Sequence, residues 1–407
     1  MIPKNTIEQI VLKQCKTLSE QAAGQARDLE ENLPYLTDRA LLIGGVRGSG
    51  TSSLLTRIFH NDYPEAWFTD FEDPRLAGFD PIDFQKLERL IEESGKGTLL
   101  FNRIDNTEGW IEFCLRKIEQ GIKIISTVSL KTLYTLPQNG SDKSGRINDF
   151  FILKRLHTLS YQEYLQFTHK SGSEQTVAEY MSRGAFPGIL RPDNADSLRR
   201  LYAEIVCRDA IIAEGIRDHD TLQRVLLHLM THTGECITAN KLRDRLRIKA
   251  VSTVAEHMTC AEQAGLVHFV SILSDNPARQ TVNPRKVYAT DTAMAQAVTW
   301  EEIDKTRLFE TLVFNHLKRL GYTIHYTNEQ GGCDFVATDG EGVTRCIQSC
   351  YDDDPDCMQS KTEGLILALN MTQAKRGIIV TRDRTDQIET GGHTIELIDA
   401  DTFLSDF

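Results

Sequence analysis

The apolar run "ALLI" at 40–43 passes directly into "GGVRGSGTSSLL". A short strand, a glycine-rich loop and then a helix with Leu54, Leu55, Ile58 and Phe59 on one face leave few choices of fold. The glycines let a row of backbone N–H groups gather at the positive end of a helix dipole, which makes a cradle for an anion. The stretch Gly45-Val46-Arg47-Gly48-Ser49-Gly50-Thr51-Ser52, with Ser53 following, fits G-x-x-x-x-G-K-[ST] at every defined position but one. Thr51 stands where the lysine belongs. Ser52 keeps the hydroxyl that would meet a magnesium ion. The lost lysine contact with the outer phosphates is worth roughly 1.5–3 kcal/mol. The expected cost is about tenfold to a hundredfold in affinity, with the nest itself intact.

Beyond the loop, strands and helices alternate. "TLLF" (98–101) and "KIIS" (123–126) read as buried strands, and a helix carrying Trp110, Phe113 and Ile118 lies between them. This order predicts a parallel sheet covered on both faces. A nucleotide-cleaving site of this kind needs acids at a strand end beside the loop, one for the magnesium shell and one to position water. In "GTLLFNRIDNTEGW" those places hold Asn102 and Arg103. A neutral amide holds magnesium poorly, and an arginine stays protonated and cannot act as a base.

Several stretches together resemble a group of prokaryotic AAA-type ATPases: "GGVRGSGTSSLL", "DFEDPRL", "NRIDNTEGW", "GRINDFFILKRLHTLSYQEYL", "RGAFPGIL" and "KVYATD". In that group the corresponding places read approximately GVRRSGKSTLL, nfdDpRL, DEiQnvegW, GR followed by PlSF.Ef, GGfP and KvYa.D. The resemblance spans nearly the whole chain. It implies a P-loop module, a helical and winged-helix segment, and a restriction-endonuclease-like domain, with ATP as ligand. The departures fall in the catalytic set. The group's lysine matches Thr51, its acidic pair matches Asn102 and Arg103, and its polar sensor residue matches Leu130. Arg47, Asp73, Arg75 and Arg146 are retained. The expectation is a pseudo-ATPase, with Arg103 and Arg146 as candidate phosphate contacts and no firm place for Mg²⁺.

In the middle of the chain, "CITANKLRDRLRIKAVSTVAEHMTCAEQAGLVHFV" has the pattern of a winged helix: a first helix capped by Thr238 or Asn240, a second from Ser252 to Ala264 and a wing beginning at "GLVHFV". Arg243, Arg245, Arg247 and Lys249 suit phosphate contacts and make DNA a possible partner. The second helix is expected to expose Glu256, His257, Thr259 and Glu262, and acids there disfavour groove reading. A protein-interaction or packing module is the preferred reading. At the C-terminus, a long helix, three strands, a helix and two strands follow the order of the nuclease-like core. By resemblance its metal site would use Glu310, Asp334, Gln348 and the lysine position now held by Cys350. Gln348 carries no charge and Cys350 is not a lysine, so a scaffold is expected in preference to a residual metal-dependent nuclease, whose ion would rest on Asp334. Cys333, Cys346, Cys350 and Cys357 have no zinc spacing and read as buried small side chains. The acidic run 352–356 reads as a solvated loop.

The expected division is therefore an N-terminal helical segment (1–35), an α/β P-loop domain (36–167), a helical segment (168–235), a winged helix (236–300) and a nuclease-like α/β domain (301–407). The 407 residues, 40% hydrophobic and 26% charged, suit a soluble multi-domain protein. A net charge of −12 argues against coating nucleic acid non-specifically. No membrane span or apolar signal core is evident, and the nine scattered cysteines suit a reducing cytoplasm.

Overall fold

In the computed structural model, residues 1–136, 149–191, 193–274, 276, 284–328, 332–352, 354–374 and 376–407 are described. They divide into two compact units, Met1–Thr158 and Leu159–Phe407.

The first unit begins with helix α1 (Lys4–Glu20). Strand β1 (Ala40–Gly45) leads through the glycine loop into α2 (Thr51–Asn61). There follow β2 (Trp67–Asp70), α3 (Pro81–Ser94), β3 (Thr98–Asn102), α4 (Trp110–Glu119), β4 (Lys123–Val128), α5 (Leu130–Thr135) and β5 (Phe151–Leu156). All five strands are parallel, in the order β2-β3-β4-β1-β5. The predicted covered sheet is therefore present. One face packs Phe84, Phe101, Phe113 and Leu87; the other packs Leu54, Ile58, Leu100 and Ile125. The sequence reading extended the N-terminal helix across 1–35. It ends at Glu20, and only a short turn, Asp28–Asn32, follows. That turn is tied to α2 by Arg57, whose Nε lies 2.7 Å from Glu30 Oε1.

The second unit contains α6 (Tyr161–Thr168), α7 (Glu174–Arg183), α8 (Ala195–Ile205) with a π-helical continuation (Val206–Ile212), and α9 (His219–Thr231). Tyr161 donates to Asp401 Oδ1 at 2.6 Å, which anchors α6 to the C-terminal helix of the same unit. Next come β6 (Cys236–Ile237), α10 (Ala239–Leu246), α11 (Val251–Gln263), β7 (Val267–Val270) and β8 (Arg285–Ala289), with the three strands antiparallel in the order β6-β8-β7. Thr238 caps α10 by accepting from Lys241 N. On α11, Val254, Met258 and Ala261 face inward, as expected. His257 does not face solvent: it is buried, because positions 254, 257, 258 and 261 share one helical face.

After α12 (Thr292–Val298) come α13 (Lys305–Arg319), β9 (Thr323–His325), β10 (Phe335–Thr338), β11 (Thr344–Cys350), α14 (Pro355–Thr372), β12 (Gly377–Thr381), β13 (Asp386–Thr390), β14 (His393–Asp399) and α15 (Ala400–Asp406). The mixed sheet runs β13-β14-β12-β11-β10-β9. Cys333, Cys346 and Cys350 are buried in its apolar core with Leu365 and Ile379, and all nine cysteines are free thiols. The acidic run ends as a helix cap, with Asp354 accepting from Cys357 N at 3.2 Å. Among the described residues no helix is long and apolar enough to cross a membrane.

Two of the quoted stretches meet here. Asp291 of "KVYATD" accepts from Ala185 N of "RGAFPGIL" and from Met294 N, both at 2.7 Å. Gly184 sits at φ 81° beside it, and a Cβ there would lie 2.6 Å from Asp291 Oδ1. Gly184→Ala meets both an unfavourable backbone region and a clash, so a loss of roughly 1–3 kcal/mol of stability is expected on chemical denaturation.

Candidate functional site

The glycine loop is built as its sequence requires. Gly48 and Gly50 take φ of 85° and 100°, values that a side chain resists, and they turn the loop into the first turn of α2. A Cβ on Gly45 would lie 2.5 Å from both Leu156 O and Ser49 Oγ, so strand β5 and the loop close on this position only because it is bare. The opening N–H groups of α2, from Thr51, Ser52 and Ser53, stand in the first turn, where a helix offers no intrahelical acceptor. Val46 and Ser49 are buried in the loop wall. Buried Arg27 holds the loop from behind, its Nη1 donating to Ser49 O at 2.6 Å and its Nη2 to His157 O at 2.8 Å. No sequence pattern marked Arg27 for this role.

Beside the loop, the ends of three parallel strands bring one network together. Asn102 Oδ1, at the end of β3, accepts from Ser52 Oγ at 3.1 Å and from Thr127 Oγ1 of β4 at 2.7 Å. Its Nδ2 donates to Asp70 Oδ1, at the end of β2, at 2.8 Å. Asn102 thus holds the position expected of the magnesium-ordering acid, with both lone pairs of its carbonyl engaged. The carboxylate joined to this group, Asp70, lies one strand further out. Burial raises the Asp70 pKa above the ordinary carboxylate value, against the hydrogen bonds from Asn102 and from Glu72 N. A hydroxyl and a saturated neutral amide are a poor donor set for Mg²⁺, and the adjoining Asp70 carboxylate already accepts from Asn102 Nδ2 and Glu72 N, so these residues do not fit a firmly held ion. Among the described residues no group of three or more His, Cys, Asp or Glu is arranged for a metal. A cavity of about 410 Å³ opens on Ser52, Asp70 and Asn102, and Gln14, Lys13 and Arg75 also line it.

Arg47 in the loop and Arg103 just after β3 already have acidic partners. Arg47 lies 3.0 Å from Glu72 Oε1, and Arg103 lies 3.6 Å from the same oxygen and 3.2 Å from Asp105 Oδ1. Arg103 has φ 54°, a left-handed conformation fixed by its N–H donating to Thr127 Oγ1 at 2.8 Å. Asp105 also accepts from Ser129 N and Thr132 Oγ1, both at 2.7 Å, and so holds the start of α5, where Leu130 is buried. Arg146 lies outside the described residues.

In the second unit, Glu310 of α13 and Asp334, just before β10, both contact the Nζ of Lys286. The amide of Gln348 is occupied by main chain: its Oε1 accepts from Asp334 N, and its Nε2 donates to Gly332 O and Lys361 O. Cys350 is buried in the apolar core, with its Sγ 3.7 Å from Cys357 Sγ. Ser349 takes the near position, with N and Oγ both 3.1 Å from Asp334 Oδ2. Two lysines not anticipated from the sequence complete the group, Lys286 of β8 and Lys361 of α14.

Residues 37–165 match the family profile described as AAA domain. Residues 174–305 match one described as Domain of unknown function (DUF8612). The first unit thus carries an AAA-type P-loop domain. Among solved structures, the Thermotoga maritima RuvB Holliday junction branch migration motor aligns at 16% identity over 64% of this chain and 89% of that one, with a TM-score of 0.28. PCH-2 of C. elegans aligns at 13% identity over 63% and 68%, with a TM-score of 0.21. No curated protein matches the chain.

Proposed function

We propose that the chain is an ATP-binding AAA-type protein that hydrolyses the nucleotide weakly or not at all and acts as a regulator or scaffold. One observation carries this reading: the phosphate nest is fully formed, while its magnesium-ordering position holds Asn102, hydrogen-bonded to Ser52 as a carboxylate would be. A phosphate group needs the backbone N–H groups and the helix dipole, and both are kept. Cleavage needs charge placed on the transferring phosphoryl group and a positioned water. Thr51, Asn102 and Arg103 supply neither. The helical, winged-helix-like and nuclease-like parts of the second unit are read as interaction modules in a cytoplasmic protein. Exposed Glu256 on α11 supports protein contact over DNA at that helix.

Arg103 is the remaining candidate to replace the lysine's charge. Its pairs with Asp105 and Glu72 are in competition with any phosphate. Calorimetric titration of ATP in the absence of magnesium tests the reading. Binding that weakens at least tenfold when Gly50 is changed to Val, with Arg103→Ala binding like wild type, is the expected result. Absence of binding in wild type removes the nucleotide from the account and leaves an interaction scaffold. A marked loss in Arg103→Ala reassigns the charge to that residue.

A further inference from the structure

Glu310 and Asp334 are brought together in the interior of the second unit, with side chains only 11% and 9% exposed. Between them lies the ammonium group of Lys286, with Nζ 2.8 Å from Glu310 Oε1 and 3.1 Å from Asp334 Oδ1. A second ammonium, from Lys361, lies 2.6 Å from Asp334 Oδ2. The remaining contacts are donors as well: Tyr288 OH to Glu310 Oε1 at 2.7 Å, and Ser349 N and Oγ to Asp334 Oδ2. Two carboxylates and two ammonium groups sum to zero charge.

We propose that Lys286 is a built-in cation, occupying the position a divalent metal ion would take between Glu310 and Asp334. The native centre is accordingly closed to metal and serves as an ionic lock between β8 and the C-terminal sheet. One oxygen from each carboxylate already converges on a single cationic point, and oxygen-ligated divalent ions sit at about 2.0–2.6 Å from such oxygens. A metal cannot share that point with the ammonium group. With Lys286 in place the group is neutral, and nothing offsets the cost of stripping water from an entering ion. Without Lys286 it carries one net negative charge, with Lys361 still neutralising part of Asp334. Burial acts to lower the Lys286 pKa, but the carboxylates of Asp334 and Glu310 hold it well above the ordinary lysine value, so the ammonium stays charged throughout the neutral range. Burial likewise acts against the Asp334 charge, and Lys361 and Lys286 outweigh it, holding that carboxyl well below its usual range.

The test uses the full chain, with Mn²⁺ titrated into metal-free protein and followed by the electron paramagnetic resonance of the free ion and by thermal melting. Wild type is expected to bind no Mn²⁺ at this centre and to show no melting shift. Lys286→Met is expected to melt several degrees lower in metal-free buffer, to bind one Mn²⁺, and to regain most of the lost melting temperature on doing so. Lys286→Met combined with Asp334→Asn is expected to bind none. If Lys286→Met does not fold, Lys286→Gln, which keeps a polar but uncharged side chain, provides the same comparison. Mn²⁺ bound by wild type and lost on Asp334→Asn overturns the proposal, because the ion and the ammonium would then be compatible. A folded Lys286 variant that neither binds Mn²⁺ nor is stabilised by it overturns it as well.

Discussion

Thr51→Lys is expected to tighten ATP binding about tenfold to a hundredfold, the affinity equivalent of one charge-assisted contact worth roughly 1.5–3 kcal/mol. The structure is prepared for this residue. Thr51 opens α2 at the mouth of the nest, directly after Gly50 in its left-handed conformation, and is only partly buried. A lysine stem can leave the helix there without displacing core atoms. The same substitution is not expected to restore cleavage. Asn102 still presents an amide whose carbonyl is saturated by Ser52 and Thr127, and Arg103 still stands where a water-positioning acid is needed. Calorimetric titrations of the two proteins with ATP, side by side, read the effect. Equal affinities would mean that phosphate does not enter this loop in the expected orientation.

Asp334→Ala is expected to have the largest effect on stability, about 3–5 kcal/mol, the usual result of removing one partner from a buried ionic group. Asp334 is the partner of both ammonium groups and also accepts from Ser349. Without it, Lys361 loses its carboxylate partner and Lys286 keeps only Glu310. Chemical denaturation followed through the second unit, for example by amide hydrogen exchange in β10 and β11, measures the loss. A change under about 1 kcal/mol would be typical of an exposed pair and would show that the ammonium groups are hydrated in solution.

Some of this was legible in the sequence, for reasons that can be stated. The glycine loop could be read directly, because the spacing of Gly45, Gly48 and Gly50 is itself the geometry, and the flanking strand and helix show their own apolar periods. Most of the C-terminal mixed sheet could be read as an order of elements, but three strands follow α14 where two were expected, and the closing helix α15 was not marked. The edge strands β2 and β5 were not marked: "WFTD" is only four residues long, and "FILKRL" buries fully only its two end residues. The network at the loop was half visible. Asn102 and Ser52 were named, but Asp70 and Thr127 join them only because parallel strands end at a common edge, and register of that kind is not written in local pattern. His257 was assigned to the exposed face by its polarity, although it lies three residues after Val254 and shares the inward stripe. Lys286 and Lys361 were missed for a related reason. Each reads as a polar residue on a surface element, and only the approach of β8 and α14 to Asp334 turns the pair into the counter-charge of a buried centre. Gln348 was identified by position, but its amide proved to hold backbone in place instead of facing a reaction.

ATP turnover by the purified full chain in the presence of Mg²⁺, measured as released phosphate over hours, decides whether this nest cleaves its nucleotide. Release at most marginally above that of a Ser52→Ala control is expected. Steady Mg²⁺-dependent release by the wild-type protein that disappears in Ser52→Ala would contradict the account, because the nest would then be shown to cleave phosphate without the charges judged necessary.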